Sequence, residues 1–234
     1  MGLMYWQIND IWQGPTWATV EYGLKWKMGH YYVQHMYEPV YPLPILTPYL
    51  ANTSDESARI SLYVINEQSN PNSGLLTCSL YPLDSFTAKS TLQYPVQLNS
   101  TGVLRISELP YATVMKNAGC ATSNQCVLRC FLNSTEEEMG QTLFFTQPKN
   151  YQLQQPNVRI SSITKVSSTQ FRITVTAERP ALFVWLDTSI NKSGYFSRNG
   201  FHMFESSRTV TYNLWEPADD LTVQVMSLYD VTQV

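Results

Sequence analysis

The sequence predicts a mainly β protein, with two antiparallel sandwiches behind a short strand–loop–helix unit. Three observations carry this. From about residue 49 onward, short runs rich in Val, Ile, Leu, Thr, Tyr and Phe recur, many of them alternating with polar positions. Polar turns separate these runs at the spacing of sandwich strands. The composition is 13% aromatic, with 15 Tyr and 6 Trp, and only 14% charged, which favours pleated aromatic surfaces over charged helices. Before residue 38, in contrast, Trp26, Gly29/His30, Val33 and Met36/Tyr37 recur at spacings of three and four, the period of a helix.

Taken in order, LMYW reads as a short apolar strand and INDIWQGPTW as a loop, turning at Gly14-Pro15. A helix follows over 22–37, and Glu38-Pro39 ends it, because the residue before proline avoids the helical region. Gly29 inside it costs about 1 kcal/mol relative to alanine. Residues 1–37 thus form half of a β/α unit, whose parallel strand needs partners from elsewhere. Pro39, Pro42, Pro44 and Pro48 make 38–48 a stiff, extended linker. The first sandwich, 49–147, is read from RISLYVINE, LTCSLYPL, TLQYPVQL, GVLRISEL, CVLRCFL and TLFFTQP. A polar joint, QPKNYQLQQPN, precedes the second, 157–234, read from VRISSITKV, QFRITVTA, ALFVWLD, GFHMFES, RTVTYNLW and LTVQVMSLYDV. Each is of immunoglobulin-like size.

A net charge of −3 and a pI near 5.6 leave no basic patch for a phosphate backbone, so no nucleic-acid partner is expected. No run approaches a membrane span, and no membrane partner is expected. The N-terminus lacks the basic start and apolar stretch of a signal peptide. Four sequons, at Asn52, Asn99, Asn133 and Asn191, nonetheless point to a glycosylated, lumenal protein. Cys120 and Cys126 bracket a polar loop and read as a disulfide, whereas Cys78 and Cys130 read as buried apolar residues or as a second bridge. A lumenal protein without a leader implies a longer parent.

Catalytic constellations are sparse. No G-x-S-x-G, glycine-rich phosphate loop or HExxH occurs. His30 and His35, five apart, fall on different helix faces and do not read as metal ligands; no metal or cofactor is expected. Glu136-Glu137-Glu138 reads as a solvated turn, and Glu21 has no second carboxylate paired with it, as a glycosidase requires. The aromatic stretch of residues 5–17 remains. Its tryptophans read either as the core of a strand end or as flat faces for a pyranose, with neighbouring amides and carboxylates taking the hydroxyls.

YWQINDIWQGPTWATVEYGLKWKMGHYYVQ closely resembles the end of the catalytic barrel in animal-type β-mannosidases, of the glycoside hydrolase family that also holds β-galactosidases and β-glucuronidases. NAGCATSNQC resembles a Cys-bracketed loop of the first C-terminal sandwich of those enzymes, and FVWLD, FSRNGFHM and WEP resemble their last sandwich. The resemblance implies that residues 1–37 are the last strand–loop–helix unit of a truncated (β/α)8 barrel, whose active-site residues come from the C-terminal ends of strands. Trp6 matches the floor of the subsite for the terminal sugar, and the match implies a cis Trp6–Gln7 bond. Asn9, Asp10, Trp12 and Trp17 fall in the loop at the barrel mouth, where Asp10 either orders the loop or reaches substrate.

The motifs of the acid/base and nucleophile glutamates do not occur, and Gly29 stands where a larger apolar residue is expected. The implied parent is a retaining, exo-acting lysosomal β-mannosidase that cleaves terminal β-mannose from oligosaccharides. The implied partners are a β-mannoside oligosaccharide and the remainder of the parent barrel. The chain alone is expected to be inactive. The alternatives are a non-catalytic carbohydrate-binding or structural module and an unrelated immunoglobulin-like surface protein.

Overall fold

The computed structural model describes residues 4–133, 140–188 and 193–232. Asn191, the acidic run Glu136–Glu138 and Met1 lie outside the described residues. Two compact units form, one from residue 38 to 154, the other joining the segment up to Tyr37 with the chain from Gln155 on. Helix α1 spans Met28–Met36. Strands β1 (Val40–Thr47), β2 (Arg59–Asn66), β3 (Asn72–Pro82), β4 (Ser90–Leu98) and β5 (Gly102–Pro110) follow. Helix α2 (Tyr111–Asn117) and strands β6 (Cys126–Leu132) and β7 (Gln141–Phe144) complete the first unit. The other unit contains β8 (Arg159–Ser167), β9 (Gln170–Thr176), β10 (Ala181–Thr188), β11 (Gly194–Phe196), β12 (Phe201–Met203), β13 (Ser207–Leu214), β14 (Val223–Met226) and α3 (Leu228–Thr232).

In the unit of residues 38–154, one sheet has the order β1-β2-β5 and the other β4-β3-β6-β7, all pairs antiparallel. The core lies between them: Ile60, Leu62 and Val64 from β2 meet Leu76 and Leu80 from β3 and Leu128 and Leu132 from β6. Residues 40–47 are therefore not a linker. They pair with β2 from Val40↔Asn66 to Thr47↔Arg59 and bury Val40, Pro42, Pro44 and Leu46 on one face. An edge strand tolerates prolines because one side of its backbone needs no ladder donor. Helix α2 departs from the all-β expectation for residues 49–147; it buries Tyr111 and Met115 and ends where Gly119 adopts φ +68°.

Both cysteine pairs are bridged, Cys120 to Cys126 and Cys78 to Cys130. The second bridge corrects the reading of Cys78 and Cys130 as free apolar residues. Register places them directly opposite on β3 and β6, a pairing that spans 52 residues of sequence.

The other unit has sheets ordered β11-β13-β9-β8 and β12-β10-β14. Alternate residues fill its core, among them Phe171, Ile173 and Val175 of β9 and Val184 and Leu186 of β10. The strand expected to run to residue 231 stops at Met226, and Ser227 then caps α3 through Asp230.

Three further expectations are revised. Of LMYW, Leu3 lies outside the described residues and Met4–Trp6 form no strand; among the described residues before α1 there are only isolated bridges, Asn9 with Val20 and Val20 with Trp26. A single extended segment without a neighbouring strand satisfies its backbone locally instead. The helix begins at Met28 rather than near residue 22, because residues 21–25 form a turn closed by Glu21 N–H to Lys25 C=O, 2.8 Å, with Leu24 at φ +63°. The joint of 147–157 is anchored at two points and otherwise exposed. Tyr151 and Pro156 are buried, the Tyr151 hydroxyl accepting the Phe145 N–H at 2.8 Å, while Gln152, Gln154, Gln155 and Asn157 are exposed.

Candidate functional site

Local hydrogen bonds fold residues 7–20 back on themselves. Thr19 and Val20 N–H donate to Ile8 C=O, Asp10 N–H donates to Val20 C=O at 2.9 Å, and Lys27 N–H donates to Thr19 C=O. The amides expected to take sugar hydroxyls are tied to the local backbone: Gln7 Nε2 donates to Asn9 C=O and Asn9 Nδ2 to Asp10 C=O. Asp10 is 7% exposed. Its Oδ1 accepts the Thr16 hydroxyl, its Oδ2 accepts Lys27 Nζ at 3.1 Å, and Thr16 Oγ1 in turn accepts the Ala18 N–H. The Thr16 hydroxyl, and behind it the Lys27 ammonium, hold the Asp10 carboxyl below its ordinary range against the opposing effect of burial. Of its two expected roles, Asp10 thus has the geometry of the first, ordering the loop.

The tryptophans separate the two readings of this stretch. Trp6 is 78% exposed, Trp12 56% and Trp17 76%, so these indoles are surface groups rather than a strand-end core. Ile8, Ile11, Tyr22 and Leu24 are exposed beside them in sequence. That is more apolar side-chain surface than a short segment leaves open without a use. The Trp6–Gln7 bond is cis.

Trp26 behaves differently. It stacks on Tyr195 at 4.6 Å between ring centroids and meets Tyr31 edge-on at 5.4 Å and His30 at 4.7 Å. Tyr195 continues to Trp215 at 5.1 Å. Tyr31 hydroxyl accepts the Phe196 N–H at 3.1 Å, and Tyr32 hydroxyl donates to Gly200 C=O at 2.8 Å. Burial pushes both tyrosine hydroxyls well above their usual pKa. His202 accepts the Phe183 N–H on Nδ1 and lies 3.3 Å from the Tyr32 hydroxyl through Nε2. Lys25 pairs with Asp187. FVWLD supplies Phe183, Trp185 and Asp187, FSRNGFHM supplies Phe196, Gly200 and His202, and WEP supplies Trp215. The C-terminal motifs that carry the resemblance are therefore the surface that holds residues 25–32. Sequence reasoning placed Trp26 on a helical stripe and missed this anchoring, because its partners lie some 170 residues downstream.

The remaining expected positions are local. Asn52 and Asn99 are exposed, and Thr101 of the second sequon donates to Gln68 C=O. Asn133 is exposed, and its Oδ1 accepts the Leu75 N–H at 2.5 Å. Beside the Cys120–Cys126 bridge, a polar cleft of about 250 Å³ is bounded by Asp84, Lys89, Gln125, Gln152 and Gln154, with no aromatic ring in its lining.

Residues 153–231 match the family model of the immunoglobulin-fold domain of mannosidases. The chain is 30% identical to β-mannosidase of Bos taurus over 224 residues, covering 93% of this chain and 24% of that protein. Its relatives are β-mannosidases. Against the Rattus norvegicus enzyme it is 28% identical over 244 residues, covering 99% of this chain and 26% of that one. The crystal structure of β-D-mannosidase from Dictyoglomus thermophilum superposes with a TM-score of 0.67 over 95% of this chain and 26% of its own, at 14% identity, a likeness of fold. The chain spans about a quarter of the length of the curated relatives it matches. It is a mainly β chain whose residues 153–231 are similar to the immunoglobulin-fold domain of mannosidases.

Proposed function

We propose that this chain is the C-terminal part of a retaining, exo-acting β-mannosidase, with residues 1–37 as the last strand–loop–helix unit of its (β/α)8 barrel. The observation that carries the reading is the exposed indole set of Trp6, Trp12 and Trp17, on a chain that aligns over 99% of its length with the Rattus norvegicus enzyme. In the complete enzyme Trp6 floors the subsite for the terminal mannose, and the apolar side chains around it meet the rest of the barrel. The two sandwiches buttress that barrel. Asn52, Asn99, Asn133 and Asn191 carry glycans in a lysosomal parent, in keeping with the two disulfides.

Hydrolysis needs an acid and a nucleophile, two carboxyl groups about 5–5.5 Å apart in a retaining enzyme. Here Asp10 is committed to Thr16 and Lys27, and the motifs of the glutamate pair do not occur. The purified chain is therefore expected to leave a chromogenic β-mannoside intact, while the longer polypeptide encoded around this reading frame hydrolyses it. Turnover by the 234-residue chain above background overturns the inactivity; an upstream frame without barrel strands and paired glutamates overturns the parentage. A second reading, a non-catalytic saccharide-contacting module, is favoured by one observation: the indoles of Trp12 and Trp17 stand on a loop whose internal fixings are all local.

A further inference from the structure

We propose that Asp10 is a positioning residue that fixes loop 10–17 so that the indoles of Trp12 and Trp17 are presented to a pyranose in one set arrangement. This rests on the saccharide reading of the exposed tryptophans. It does not require the catalytic carboxylates, and so applies to the chain as it is.

Two independent features fix the loop. At its base, Asp10 joins both ends: Thr16 Oγ1 donates to one carboxylate oxygen while Lys27, just before α1, donates to the other at 3.1 Å. The Ala18 N–H on Thr16 Oγ1 extends this tie to the outgoing strand of the loop. At the tip, the Trp12 ring lies across Gly14 so closely that a Cβ there would meet ring carbons at 2.1 and 2.3 Å. Any side chain at that position would displace the ring. An aromatic platform binds a sugar weakly unless its rings are held before the ligand arrives, because ordering side chains on binding subtracts from affinity. A buried carboxylate that accepts two charge-assisted or hydroxyl hydrogen bonds at the loop base does that holding. The Gln7 and Asn9 amides are tied to the backbone beside them, which leaves the rings as the contact.

The six tryptophans divide into three on the segment, Trp6, Trp12 and Trp17, and three in the rest of the unit, Trp26, Trp185 and Trp215. The chain labelled with 5-fluorotryptophan therefore carries its own controls in a fluorine NMR spectrum. In Asp10→Asn, the Trp12 and Trp17 resonances should shift or broaden while those of Trp26, Trp185 and Trp215 stay in place, which also shows that the variant is folded. Gly14→Ala, which keeps the Asp10–Lys27 pair, should move Trp12. Titration with methyl β-D-mannoside should perturb Trp12 and Trp17 in the unaltered chain, and about fivefold or more sugar should be needed in Asp10→Asn, the loss expected when two side chains must be ordered by the ligand. Unchanged Trp12 and Trp17 resonances in Asp10→Asn, or an unchanged sugar response there, overturn the proposal. Loop resonances that move in Asp10→Asn, in a chain whose Trp12 and Trp17 never respond to the sugar, overturn the saccharide assignment instead. Neither result bears on whether the longer polypeptide hydrolyses mannosides.

Discussion

Trp26 fixes the N-terminal segment to the C-terminal unit, through a stack on Tyr195 and an edge contact with Tyr31. Trp26→Ala removes a large, half-buried ring from both and is expected to destabilise that unit by about 3 kcal/mol, the lower end for tryptophan truncation. A fall in its urea midpoint without a change in slope is the measurement. Asp10 makes a pH prediction whose sign is fixed by its depressed pKa. Its stabilising contribution is present above the unfolded-state value of about 3.9 and is lost as pH falls through the lower folded-state value. Loop indole signals should hold steady from pH 7 to pH 5 and change only below about pH 4, and Asp10→Asn should remove that acid step. The residue types of this site were legible in the sequence, but their states were not. Nothing in INDIWQGPT distinguishes a buried, clamped Asp10 from a solvent-facing one, since Thr16 and Lys27 reach it only once the loop closes.

Elements were legible where periodicity stood undisturbed and hidden where a local rule contradicted it. The runs at β2 to β6 and at β8, β9, β10 and β13 fall within a few residues of their expected places, because alternation reports a half-buried strand directly. Strand β1 was masked by Pro42 and Pro44, which read as a stiff linker. Only its position at a sheet edge makes them compatible with pairing. Helix α2 is too short to show a period, and the Cys78–Cys130 bridge follows from a register that sequence does not display. That bridge spans 52 residues and Cys120–Cys126 only 6. On the chain-entropy account, closing the longer loop stabilises by about 4 kcal/mol and the shorter by about 2 kcal/mol. The double variant Cys78→Ala/Cys130→Ala should therefore lower the melting temperature of the 38–154 unit clearly more than Cys120→Ala/Cys126→Ala, as scanning calorimetry can compare.

For the whole molecule, the order of the chain and the order of its folding units differ. Residues 4–37 belong to one unit with the residues from Gln155 on, while 38–154, intervening in sequence, form a separate unit. The return of the N-terminal segment was not legible in the sequence, because its partners lie some 170 residues downstream. This connectivity predicts an unusual proteolysis pattern. Gln152, Gln154 and Gln155 form an exposed stretch at the boundary between the two units, so a broad-specificity protease at low dose should nick there first. The two pieces should nevertheless elute together on a sizing column, because Lys25–Asp187, the Trp26–Tyr195 stack and the Tyr32 to Gly200 hydrogen bond all join one piece to the other. In Trp26→Ala the same nick should release the C-terminal piece. A free-standing N-terminal segment would give a different result, with early loss of residues 4–37 and separation of the nicked pieces in the unaltered chain.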